Sequence, residues 1–142
     1  MRKLLLLFTV AIVFIGCKDV YGACAKASDD IADTITQADK TILQLQQMGE
    51  LTQAEALNVA GYFEFVNKAN EGFQSCIATA HSGGNKPGTY TACAGIFNTT
   101  LNNPQETALI HVSDAKASAT ITGIVDTVQT AVTAIQSQLG GA

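Results

Sequence analysis

The chain reads as an all-α protein, a small antiparallel bundle of three long helices plus a shorter helical hairpin, stapled by a disulfide. Three observations carry that reading. Apolar residues recur at steps of three and four along most of the 142 residues. Helix-start signals stand where those patterns begin, notably Thr52-Gln53-Ala54-Glu55 and Asn103-Pro104. Cysteines fall at distances from the connecting turns that antiparallel neighbours bring level.

The segment that organises the rest is Leu51 to Ala80, which holds four of the nine aromatic residues: Tyr62, Phe63, Phe65 and Phe73. Its first residues form a capping box, in which the Thr52 hydroxyl accepts from the Glu55 amide and the Glu55 carboxylate accepts from the Thr52 amide. An apolar stripe follows at Leu57, Gly61/Tyr62, Phe65/Val66, Ala69, Phe73, Cys76/Ile77 and Ala80. Glu55, Glu64, Lys68 and Glu71 occupy the other face, and Glu64 and Lys68 stand four residues apart in the favourable order. The spacing predicts a helix over about 53–80.

Before it, Ile31, Ile35, Ala38, Ile42, Leu45 and Met48 predict a helix over about 25–48. Ser28-Asp29-Asp30 starts or reinforces it, and Gly49 stops it. Asp29–Asp33 matches the DDxxD pattern that holds magnesium in prenyl-diphosphate chemistry. That chemistry needs a much larger helical cavity and a second acidic motif, so these carboxylates are read as first-turn acids complementing the helix dipole. The link near residue 50 is short, which makes the two helices antiparallel neighbours.

His81-Ser-Gly-Gly-Asn-Lys-Pro-Gly88 is the one obvious loop. Its glycines lack the spacing of a phosphate-binding loop. A helix over about 89–102 presents Tyr90, Cys93, Ile96/Phe97 and Leu101. Asn103 caps a short helix that has Pro104 at its first position and Glu106 at its third, running to about His111. Ser113 or Asp114 caps the last helix, over about 114–139, whose apolar set is Ile121, Ile124/Val125, Val128, Val132, Ile135 and Leu139. Its β-branched content suits a strand on propensity, but steps of three and four decide for helix.

The first residues stand apart. Arg2 and Lys3 precede Leu4–Gly16, thirteen uncharged and mostly apolar residues. That run is too short for about 30 Å of hydrocarbon and has the build of an export signal. Residues 1–22 are assigned to the signal and 23–142 to a single domain. Phe14-Ile15-Gly16-Cys17 resembles a bacterial lipobox, with Phe14 where an aliphatic residue is usual. Cleavage before Cys17 would leave a lipid-anchored protein. Cleavage after Gly22 or Ala23 would discard Cys17 with the signal.

Without its first 22 residues the chain has five lysines, no arginine and eleven carboxylates, a net charge of −6. That balance is poorly suited to neutralising phosphates, so nucleic acid is not an expected partner. Attraction to an anionic membrane surface is disfavoured for the same reason, which leaves a lipid anchor as the expected route to a membrane.

Reflection through the two turns places Cys24, Cys76 and Cys93 at about one level of the bundle. Export favours disulfides. Cys76–Cys93 is the expected bridge, with Cys24–Cys76 as its rival. A metal site at this end, with His81 nearby, lacks any CxxC or HxxxH spacing. His81 and His111 are the only histidines, no Ser/His/Asp grouping has a recognisable setting, and no catalytic, cofactor or metal residues are assigned. The Asn98-Thr99-Thr100 sequon lies in a predicted helix and carries no weight.

The expected function is a non-enzymatic structural or protein-binding module of a cell envelope, periplasmic, lipid-anchored or secreted, with a protein partner. Two alternatives stand beside it. One is a carrier of a small apolar ligand between the first two helices near Ile42, Phe65 and Phe73. The other is a metal-binding protein that uses the clustered cysteines.

Overall fold

A computed structural model describes residues 19–140. The apolar segment Leu4–Gly16 and Cys17 lie outside the described residues. The fold is all-α, with helices α1 (Val20–Gln47), α2 (Gln53–Ser82), α3 (Pro87–Leu101), α4 (Pro104–Thr107) and α5 (Ala115–Gly140). A 3-10 turn at Ala108–Ile110 follows α4 directly. The shorter pair expected between 89 and 112 is therefore α3 and then little more than single turns.

α1 packs on α2, α2 on α3, α3 on α5, and α5 returns to α1. One continuous core fills the space between them. From α1 it takes Ile31, Ile35, Ala38, Ile42 and Leu45, and from α2 Val59, Tyr62, Phe63, Val66, Phe73 and Ile77. α3 adds Tyr90, Ala94, Phe97 and Leu101, and α5 adds Ile121, Val125, Val128, Val132 and Ile135.

The turn between α1 and α2 closes as a Schellman motif. Gly49 takes φ +75°, the left-handed conformation that glycine adopts without steric cost. Its amide donates to the Gln46 carbonyl at 3.0 Å, and the Glu50 amide donates to the Leu45 carbonyl at 2.9 Å. Leu51 then turns into the core. The capping box forms as the sequence predicts: the Thr52 amide donates to Glu55 Oε2 at 2.9 Å and the Glu55 amide to Thr52 Oγ1 at 3.2 Å.

Glu55 also fixes the far end of the chain. Its Oε1 accepts from the Ser113 amide at 2.8 Å and the Ser113 hydroxyl at 2.6 Å. These bonds favour the ionised form, the Ser113 hydroxyl most and the Thr52 amide next, and hold the carboxyl down to about 2. Beside it, Lys116 Nζ donates to Glu50 Oε1 at 2.7 Å. Asp114 caps α5 by accepting from the Lys116 and Ala117 amides. α5 thus starts at the α1–α2 turn and runs back toward the start of α1.

Two polar residues, Ser28 and Asn70, lie inside the core at 0% and 1% exposure. The Ser28 hydroxyl donates to Asn70 Oδ1 at 2.7 Å, and Asn70 Nδ2 donates to the Ser28 carbonyl at 3.0 Å. Ser28 is therefore an interior residue of α1 rather than its start. The pair fixes α1 against α2 in one register, because sliding either helix strands both groups. Asn70→Ala should cost about 1–3 kcal/mol by leaving the Ser28 hydroxyl unpaired. The double change Ser28→Ala with Asn70→Leu should recover most of that in denaturant unfolding. Equal losses in both variants would show that the pair has no such role.

Candidate functional site

The residues with chemical potential gather at the end of the bundle that carries the start of α1, the end of α2 and the start of α3. The chain reaches that end because Gly84, at φ +108°, and Asn85, at φ +58°, reverse its direction after α2. The Asn85 amide donates to the Ala80 carbonyl at 3.0 Å and closes the helix end. Tyr90 is fully buried one turn into α3, and its hydroxyl donates to the Asn85 side chain. That bond satisfies the one polar atom of a buried ring and orders the loop at once.

Cys76 and Cys93 are brought to disulfide distance across this loop, with Cα atoms 5.8 Å apart, inside the range a disulfide requires. Cys24 is buried and unbridged. Burial pushes its thiol up to about 11, so it is protonated at neutral pH and a poor nucleophile. Cys24 lies in the first two turns of α1, at the end of the bundle that the turns predict.

Asp19 accepts from the Gly22 amide at 2.9 Å and caps α1. Tyr21 stacks on His81, with ring centroids 4.2 Å apart and planes 17° from parallel. Val20 and Tyr21 pack against the core. α1 therefore starts about five residues before the position that the apolar spacing predicts. A signal for this was present: Val20, Ala23/Cys24 and Ala27 extend the Ile31 stripe backward at steps of three and four.

Among the described residues, no group of three or more His, Cys, Asp or Glu side chains comes together to hold a metal. His111 closes the 3-10 turn at Ile110, away from the cysteines. Of the residues expected around an apolar ligand, Ile42 and Phe73 are core residues, and Phe73 stacks on Phe97 at 5.1 Å between ring centroids. Phe65 is half-buried at the edge of the core. Asp29 is exposed on α1, and Asp30 pairs with Lys26 at 3.1 Å.

No protein-family model, curated protein or solved structure matches this chain.

Proposed function

We propose that the protein is an exported, lipid-anchored module of a bacterial cell envelope, with a structural or protein-binding role and no catalytic one. The observation that carries this reading is where α1 begins. Cleavage after Gly22 or Ala23 would remove the Asp19 cap, the apolar contacts of Val20 and the Tyr21–His81 stack. Cleavage before Cys17 keeps all three. Gly22, which suits a signal-cleavage site by its size, has another use in the folded chain. A Cβ there would collide with the Asp19 carboxylate and push the cap away.

No described helix is long and apolar enough to cross a membrane. In this reading attachment comes from a thioether-linked diacylglyceryl group on Cys17, whose two chains meet the requirement for stable anchoring. The non-enzymatic part is supported by how the reactive side chains are used. Cys76 faces Cys93, His81 stacks on Tyr21, Tyr90 bonds Asn85, and Ser28 bonds Asn70.

Intact mass of protein taken from its native envelope tests the reading. The expected species begins at Cys17 and carries acyl mass, and Cys17→Ala should move the protein to the soluble fraction. A lipid-free chain that begins at Ala23 or Cys24 would overturn it.

A further inference from the structure

We infer that the end of the bundle formed by the start of α1, the His81–Lys86 loop and the start of α3 is a membrane-facing surface, laid against the lipid headgroups that surround the anchor. The inference rests on the lipid-anchored reading above and adds an orientation to it. The first argument is chain length. Only Lys18 separates Cys17 from Asp19, and two residues of extended chain span at most about 7 Å. Asp19 is already the cap of α1, so this end of the bundle is held within reach of the headgroups.

The second argument is the placement of charge. Past residue 22 the chain carries a net −6, yet its carboxylates avoid this end. Along α1 the first acid after Asp19 is Asp29, and along α2 the last is Glu71. They stand nine and eleven residues from the ends of their helices, about 14 and 16 Å at 1.5 Å per residue. α5 has no acid after Asp126, and no acid lies between Glu71 and Glu106. The one side-chain carboxylate left there, Asp19, is engaged in its cap. Lys86 lies exposed in the loop, Lys26 two turns up α1 is paired with Asp30, and His81 is exposed beside Tyr21.

A protein with its acids spread evenly would meet a headgroup surface with repulsion, whereas this one presents Lys86 and an amphipathic Tyr–His pair. The opposite end, with Met48, Glu50 and the exposed Leu43 and Leu57, then stands about 40 Å away, the length of α1.

The chain contains no tryptophan, so a single introduced indole reports its own surroundings. Thr89→Trp and Met48→Trp both place it at exposed positions, one at each end. S82W and Q47W provide a second pair should either fold poorly. The full lipidated protein is inserted into phosphatidylcholine–phosphatidylglycerol vesicles containing a headgroup-nitroxide lipid. The expected result is loss of T89W emission with M48W emission unchanged. Equal quenching of both, or quenching of M48W alone, on protein whose mass shows acylated Cys17 would overturn the orientation and leave the anchor standing. A chain without acyl mass would overturn both.

Discussion

Phe97→Ala should destabilise the protein by about 3–5 kcal/mol, the usual cost of emptying a large aromatic site in a packed core. Phe97 is 2% exposed and stacks on Phe73 across the α2–α3 contact, with centroids 5.1 Å apart and planes 18° from parallel. α3 also packs on α5, so the cavity would open where one helix is held by two others. The control is the neighbouring residue. Ile96 is 65% exposed, and Ile96→Ala should change stability by no more than about 0.5 kcal/mol. Denaturant unfolding of the two variants reads the rotation of α3 directly. Comparable losses would mean that the helix turns a different face to the core.

That pair of neighbours also marks the limit of what periodicity resolves. Steps of three and four left five adjacent pairs open: Gly61/Tyr62, Phe65/Val66, Cys76/Ile77, Ile96/Phe97 and Ile124/Val125. In each, the second member is the buried one. One residue turns a helix by 100°, and an apolar stripe wider than that accommodates either choice. The neighbouring helices decide, and their positions are not written in the local pattern. The same limit accounts for Met48 and Leu57, which fit the stripes by spacing but stand 60% and 66% exposed. Met48 falls at the cap after α1 has ended, and the stripe of α2 begins at Ala56 instead.

Local chemistry was more legible than rotation. The Thr52–Glu55 box, the Gly49 stop, the Asn103–Pro104 start and the Asp114 cap each depend on residues within a turn of one another, and all four form. Long-range polar pairs were not legible. Asn70 lies four residues after Val66 and three before Phe73, squarely on the apolar stripe. Only its partner 42 residues earlier, Ser28, explains a polar group there. The second use of Glu55, as acceptor for Ser113, is hidden for the same reason. At the cysteine end, turn-centred reflection yields the level of a residue along the bundle and not its face. It therefore brings Cys76 and Cys93 together across a short loop but leaves the direction of Cys24 open.

Loss of the Cys76–Cys93 bridge should cost about 3 kcal/mol. The two positions are 17 residues apart, and closing a loop of that size removes about this much chain entropy from the unfolded state. The double variant Cys76→Ala, Cys93→Ala isolates the cross-link, and denaturant unfolding beside the oxidised parent measures it. The loss belongs mainly to the unfolded chain, because the folded loop has other ties. The Tyr90 hydroxyl holds Asn85, and the Asn85 amide holds the Ala80 carbonyl. The bundle should therefore keep its helical circular dichroism while unfolding at lower denaturant. Cys24 supplies the discriminating measurement. If the bridge joins Cys76 to Cys93, alkylation of denatured, unreduced protein tags Cys24 alone, and Cys24→Ala leaves the bridge intact. If Cys24 instead pairs with Cys76, the tag appears on Cys93, and Cys24→Ala destabilises as much as the double variant does. Burial of Cys24, with its thiol held protonated up to about 11, favours the first outcome, since exchange into a bridge requires the thiolate.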